Sequence, residues 1–515
     1  MNLKLSAMAA LVASALLIVA CEGDDDSITT VTSGTVISNV TVVNTRDGSS
    51  QANMAVVIDK GKIQKIDRVS NIRIEGTAQS IDASGKYVVP GFNDMHTHTL
   101  DAADLTTTNW PLLIANGITG VREMRGSADL VKRAQKLNAD SAAGLVDAPE
   151  VLIVPGEIIG QIPAPATVAI ATSAAPAIAE VQKQKAYGAG FIKMFNVNRE
   201  ASLAILAEAK NQGLTVAGHL SPALSAVESS TAGWRSIEHL GSGIGTLLDC
   251  AGAAEEAAVR AALLRGEASV ASPLPPTWTA SALSAPFFQR VLAAYDAAKC
   301  QSVAQTFVKN ETWHVPTLIR LRTQHFVEDA LYRTDPNLIY VGKATRAAWE
   351  AAAVQRSTLP STAVTTFHQY YGLQQTLTRQ LKQNGVKMLA GSDTASAPAW
   401  VIPGFSLHQE FALLAASGLT PLDILQMTTL NGAQFLQREA TMGTVDEGKN
   451  ADLVLLDANP VDSAANLDRI AAVFLKGRYF PKAALDKMKS DVAQAYASQP
   501  APLGVNAALE PDHVD

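Results

Sequence analysis

Five residues with the chemistry of metal ligands, and one lysine, recur at one kind of place in this sequence. His96 and His98 fall in GFNDMHTH, just past the strand-like run Tyr87-Val88-Val89-Pro90. Lys193 falls in GFIKMF, His219 in LTVAGHL, His239 in SIEHL and Asp393 in VKMLAGSD. The chain has only nine histidines in 515 residues, so four of them at the ends of hydrophobic runs need a reason. In an extended strand, residues i and i+2 share a face, which would let His96 and His98 grip one ion. Neutral imidazoles and a carboxylate suit zinc and related divalent cations. Lys193 is the odd member, because an ammonium repels cations. An HxH pair alone is weak evidence, since two polar residues can simply flank a turn. The weight comes from five runs that end alike.

Such residues need a scaffold that brings separate strand ends to one mouth. From about Gly91 to Leu436 strand-like and helix-like segments alternate. GITGVREM, EVLIVPG, GFIKMF, LTVAGHL, SIEHL, WHVPTL and VKMLAGSD join the strand that ends at His96, with helices such as SADLVKRAQKL and REASLAILAEAKNQG between them. Eight β-then-α units predict an α/β fold, a closed (β/α)8 TIM-like barrel whose site lies at the strand C-termini. The stretch 243–312 is too long for a simple crossover and is expected to be a mostly helical insertion. Before and after this middle, VISNVTVV, MAVVIDKGKIQKID, ADLVLLDANP and RIAAVFLKGRYF read as short strands broken by turns. They predict one small β domain built from both chain ends. The expected division is 1–20 signal peptide, 21–33 tether, 34–89 with 437–480 composite β-sandwich, 90–436 barrel, and 481–515 C-terminal tail.

Composition narrows the function classes. Hydrophobic residues make up 47% and charged residues 17%, which is globular and allows a large core. The formal charge of −7 and the lack of a long Lys/Arg run speak against a nucleic-acid partner. At the N-terminus, Lys4 precedes an apolar stretch from Leu5 to Ala20 and then Cys21. That stretch is short for a membrane span and has the layout of a secretory signal. Ile18-Val19-Ala20-Cys21 resembles a bacterial lipobox, which implies lipidation of Cys21 and a lipid anchor in the membrane. Glu22 in place of Asp then implies the outer membrane, facing the periplasm or the cell surface. The acidic EGDDDSITTVTSGT suits a solvated tether. Cys250 and Cys300 are expected to form a disulfide that staples the insertion in an oxidising compartment, the alternative being two buried free thiols.

The ordered set PGFNDMHTH, GAGFIKMF, VAGHL, SIEHL and LAGSD resembles the amidohydrolase superfamily in its binuclear-metal form, nearest to imidazolonepropionase-like and dipeptidase-like members. The resemblance covers nearly all of the chain after the tether. It implies two divalent metal ions, zinc foremost, and carbon dioxide held as a carbamate on Lys193, whose negative charge removes the difficulty of an ammonium among cations. It implies further that His96, His98 and Asp393 hold one ion, that His219 and His239 hold the other, and that the carbamate bridges them. The expected reaction is hydrolysis of a small amide or a dipeptide-type C–N bond by a hydroxide shared between the ions, with Asp393 as ligand and catalytic proton shuttle. For Asp393 the bland alternative is a turn cap in Ser-Asp-Thr.

Other assignments stay open at this level. His314, which ends the seventh strand candidate, is expected to touch substrate or to sit satisfied at the barrel rim. Asn196 and Asn198 are expected in the substrate pocket. Arg122 and Glu123 are expected to pair with each other, and His408 and Glu410 to cap a helix. Alternatives to amide hydrolysis are a lactone or ester hydrolase and a deaminase. The single-metal deaminases place a glutamate three residues after the fifth-strand histidine, where this chain has Pro222. The alternative from another class is an inactive surface-binding lipoprotein, and a homo-oligomer stays open.

Overall fold

The computed structural model describes residues 28–102, 104–160, 168–267, 278–395 and 400–500. The signal stretch, Cys21 and most of the tether lie outside the described residues. Among the described residues no helix is long and apolar enough to cross a membrane.

Among the described residues, seven short strands of the middle of the chain make a ring: β1 (Phe92–Thr97), β2 (Ile118–Glu123), β3 (Glu150–Ile153), β4 (Ile192–Phe195), β5 (Val216–Gly218), β6 (Trp234–Glu238) and β7 (Trp313–Val315); two more, Ile158–Gly160 and Val168–Ile170, add to it beside β4. Each of the seven pairs in parallel with the next, β3 reaching β4 through the Pro155–Phe191 bridge. An eighth segment, 388–394, bridges to His314 of β7 on one side and to Thr97 of β1 on the other. Its backbone hydrogen bonds to β1 run from Met95 N to Ala390 O and from Asp393 N to His96 O, both 2.9 Å. The parallel pairings therefore return to the strand where they began. Two glycines make close approaches that a Cβ would forbid. One on Gly218, whose φ is +127°, would lie 2.2 Å from Met194 O, and one on Gly391 would lie 2.8 Å from the His96 Cβ.

Strand alternation decides which side chains face the inside of this ring. Ser236, Ile237 and Glu238 stand in register with Trp313, His314 and Val315. Trp313 and Val315 pack with Met95 and Leu389 in an inner apolar cluster, whereas Ile237 belongs to the outer core under the helices. Inside, the ring is a packed core rather than a channel.

Helices follow most strands and cover the outside. Ser127 caps Ala128–Ala142 and Asn198 caps Arg199–Asn211, their side chains accepting from Leu130 N and Ala201 N. Between β6 and β7 the described chain is helical, including Ala253–Leu264, Trp278–Ala294 and Ala297–Lys309. Cys250 and Cys300 are joined there by a disulfide. A second helical excursion, absent from the sequence reading, runs from Leu318 to Gln383 before the eighth segment.

The two chain ends meet in one sheet. Its strands run in the order 478–481, 470–475, 453–456, 87–90, 35–43, 50–59 and 62–68. Leu453–Leu456 lies antiparallel to Tyr87–Pro90, and Ile37, Val56, Val88, Leu453 and Phe474 share its core. At the tip of the 50–59/62–68 hairpin, Lys60 and Gly61 are both left-handed, the geometry that matches strand twist. Tyr87–Pro90 runs straight on into β1, so the sheet is tied to the strand that carries His96. The stretch read as a C-terminal tail carries a helix, Lys482–Ala497, packed on Asn109–Ala115.

Candidate metal centre

The first ligands come from β1 and its neighbour. The pairing of β1 with β2 shifts register between Asp94 and Thr97. Before the shift Met95 faces the ring interior; after it His96 does, as its bond to Glu238 shows. A register irregularity is a standard way to re-aim a side chain beside a functional site. His96 Nε2 lies 3.4 Å from Asp393 Oδ1, and His98 Nε2 lies 3.2 Å from the same oxygen. His96, His98 and Asp393 offer ligand atoms that all fall within 4.8 Å of one another, and all three are buried.

His219 and His239 complete a cluster of imidazoles. Ring centroids are 4.4 Å apart for His96–His239 and 4.9 Å for His219–His239. His239 Nε2 is 3.9 Å from Asp393 Oδ2. By alternation His239 should point away, because Glu238 before it points in. It does not, because its φ is +53° and Leu240 follows at +54°. Asp393, at φ +63°, and Thr317, at φ +43°, are also left-handed. For residues other than glycine this conformation is uncommon and gathers at functional sites.

Lys193 points inward from β4, in register with the inward Ala217, and is fully buried. Its positive charge helps to depress the basicity of both His96 and His239. Burial is the main cause for each, and it holds both imidazoles well below the ordinary histidine range and neutral. Burial opposes ionisation of Asp393, but the Arg320 guanidinium and a hydrogen bond from His98 outweigh it and keep that carboxyl below its usual range.

Several groups that orient the cluster escaped the sequence reading. Glu238 Oε2 meets His96 Nδ1 at 2.8 Å, and Ser236 Oγ donates to Glu238 Oε1 at 2.6 Å. Arg122 is the partner of Glu238, not of Glu123 as expected. Glu123 instead accepts from Thr97, Thr99 and the Thr99 backbone. Thr317 Oγ1 bonds His239 Nδ1, and Arg320 Nε is ion-paired with Asp393. A carboxylate beside the second ring nitrogen fixes the tautomer and frees Nε2 for a metal. Glu238 had a readable signal, standing one place before His239 in SIEHL.

A cavity of about 280 Å³ opens beside His219, with Phe195, Asn196, Asn198, Leu220, Ile244 and Leu248 among its walls. The structure thus brings Asn196 and Asn198 to the cavity. Asn198 spends its side chain on the helix cap and on Thr172 O. His314 is not brought there. It keeps regular alternation, faces outward with Ile237, and packs on Phe307 at 4.8 Å between ring centroids. Glu410 does cap a helix, but a different one: it accepts from Ile319 N at 2.7 Å, at the start of Leu318–His325.

Bottromycin amidohydrolase superposes with a TM-score of 0.66 at 20% identity, over 91% of this chain and 92% of that one. A Xaa-Pro dipeptidase with methionine bound in its active site gives 0.58 at 18% identity, over 87% and 100%. The chain has their mixed α/β fold. Residues 364–480 match the amidohydrolase family, a span that holds Asp393 and the returning strands but none of the site histidines. N-acetylglucosamine-6-phosphate deacetylase from Lysinibacillus sphaericus is 35% identical over 126 residues, 23% of this chain. The chain spans about a third of the length of that curated relative, 31%.

Proposed function

We propose that this chain is a metal-dependent hydrolase of amide C–N bonds, built on a (β/α)8 barrel with a β-sandwich made from both chain ends. The observation that carries the reading is the buried convergence of His96, His98 and Asp393 beside His219, His239 and Lys193. The residues present fit metal ions. His96 Nε2 and His239 Nε2 are buried and make no hydrogen bond among the described residues, and both rings are neutral, as ligands must be. His96, His98 and Asp393 would hold one divalent ion and His219 and His239 a second, with Lys193 between them as a carbamate. Bound there, such ions supply Lewis acidity and lower the pKa of water.

The remaining steps belong to the chain. Asp393 takes a proton from the attacking water on a carboxylate oxygen and delivers it to the leaving nitrogen. Glu238 and Thr317 hold the His96 and His239 rings in one tautomer and orientation. The cavity beside His219 takes one side of the substrate and excludes water from it.

The test is metal analysis of purified protein, then a hydrolysis screen of N-acyl amino acids, dipeptides and lactones. Metal-dependent cleavage of an amide supports the reading. Tightly held metal with no hydrolysis in any class leaves a binding lipoprotein instead. Zinc is the first ion to supply. The Ile18-Val19-Ala20-Cys21 stretch supports a lipidated Cys21 that tethers the enzyme to the outer membrane, on its periplasmic or outer face. Fractionation of a Cys21→Ser variant should find it released; retention as tight as wild type ends that idea.

A further inference from the structure

Thr317 stands at the start of the helix Leu318–His325. A threonine in that place ordinarily turns its oxygen back onto the first free N–H groups of the helix. Here it does not. Thr317 is left-handed, at φ +43°, and its side chain makes no cap bond. Its hydroxyl donates to Pro316 O at 2.9 Å, and the same oxygen meets His239 Nδ1. A hydroxyl has one proton. With that proton on Pro316 O, Thr317 is the acceptor toward His239, so Nδ1 carries the ring proton and Nε2 is left bare.

The helix start is served from elsewhere. Glu410, on the helix Phe405–Ala416, is fully buried, and its Oε2 accepts from Ile319 N at 2.7 Å. Its Oε1 makes no hydrogen bond among the described residues. Burial pushes this carboxyl from the ordinary 4.5 up to about 8, so near neutral pH the group caps without needing a charge. The same turn carries Arg320, fully buried and ion-paired with Asp393. One short turn therefore touches both His239 and Asp393, and a carboxyl from another helix holds it down.

We propose that Glu410 is a positioning residue of the metal centre. It takes over the helix cap, which releases the Thr317 oxygen to fix His239 as a ligand through Nε2. Without Glu410, a buried N–H is left unmet, which is costly, and Thr317 turns back to cap its own helix and lets go of His239. The consequence for metal rests on the hydrolase reading above, but the ring proton is read in metal-free protein, so each can fail alone.

The first readout is the His239 ring in metal-free protein labelled with 15N-histidine, by two-bond nitrogen–proton spectra assigned through His239→Gln. Wild type should show one tautomer, protonated at Nδ1. Thr317→Val and Glu410→Ala should each show a mixture. Glu410→Gln keeps the acceptor oxygen and should return the wild-type pattern. The second readout is zinc affinity, by competition with a chelating dye. Glu410→Ala should weaken the ion held by His219 and His239 about 10-fold, and adding it to Thr317→Val should weaken that ion no further. Leu414→Ala removes buried packing from the same helix; it should lower Tm and leave both readouts at wild type. A wild-type His239 protonated at Nε2 overturns the proposal, whether or not any variant folds. So do equal losses in Glu410→Ala and Leu414→Ala, or losses that add to those of Thr317→Val, because Glu410 then serves stability alone. If wild type takes up no zinc while the tautomer follows Glu410 as stated, the metal-hydrolase reading falls and the hold of Glu410 on His239 stands.

Discussion

β6 and β7 lie side by side in the ring; His239 follows the last residue of β6, and His314 stands in the middle of β7. Their fates differ. β6 places Glu238 inward, and then the left-handed His239 breaks the alternation, so two successive residues reach the site. β7 keeps its alternation through Trp313, His314 and Val315, so His314 turns outward onto Phe307. The same residue type on neighbouring strands is a ligand candidate in one and core packing in the next. Phase decides between them, and a single left-handed residue resets the phase.

The largest effect that sharpens this contrast should come from Lys193, another inward residue. Lys193→Ala should lower kcat/KM by at least about 1000-fold while far-UV circular dichroism stays native. A comparable loss in His314→Ala with its fold intact would break the contrast. Next comes Asp393→Asn, which keeps much of the ligand geometry but loses the proton carrier. Its kcat should fall by a larger factor than its metal content, measured on the same sample. Glu238→Gln touches no substrate and only steadies His96. Metal affinity should drop about 10- to 100-fold, read by competition with a chelating dye. An unchanged affinity would show that the inward phase of Glu238 serves folding alone.

Two smaller effects concern stability. The Cys250–Cys300 link closes a separation of 50 residues, for which the chain-entropy model gives roughly 4 kcal/mol, less whatever native strain removes. Cys250→Ser should lower Tm accordingly. Two free thiols in oxidatively purified, denatured wild type would remove the bond from the account. His314 should matter least to rate. Burial pushes its pKa from the ordinary 6.5 down to about 3. Between those values the unfolded chain holds a proton that the folded one does not. Stability from this group is therefore intact above pH 6.5 and declines on acidification, by about 1.4 kcal/mol per pH unit. His314→Leu should flatten that part of the acid-unfolding curve and leave kcat/KM near wild type. A steep loss of activity would place His314 at the site after all.

Much of the architecture was legible because strand ends and turn residues are local signals. Each of the seven strand candidates after His96 overlaps an observed strand or the eighth segment. The Asp59-Lys60-Gly61 turn could be read because Gly61 supplies a left-handed residue cheaply. What stayed hidden depends on backbone phase and on distant contacts. The register shift inside β1 and the positive φ of His239 have no clear mark in residue type, so strand ends alone do not tell the inward His96 from the outward His314. Arg122 and Glu123 are neighbours in sequence, but successive strand residues face opposite ways, which is why they take different partners. Thr317 and Arg320 enter the site from a helix start past the seventh strand, and no spacing rule points to them.

The most direct test of the central claim is metal stoichiometry, by plasma mass spectrometry, of wild type and Lys193→Ala purified with zinc and bicarbonate. Wild type should hold two ions per chain, and the variant should lose metal clearly, together with its rate. Two ions and wild-type turnover in Lys193→Ala would contradict it, leaving a single-metal site at His96, His98, His219 and Asp393 as the alternative.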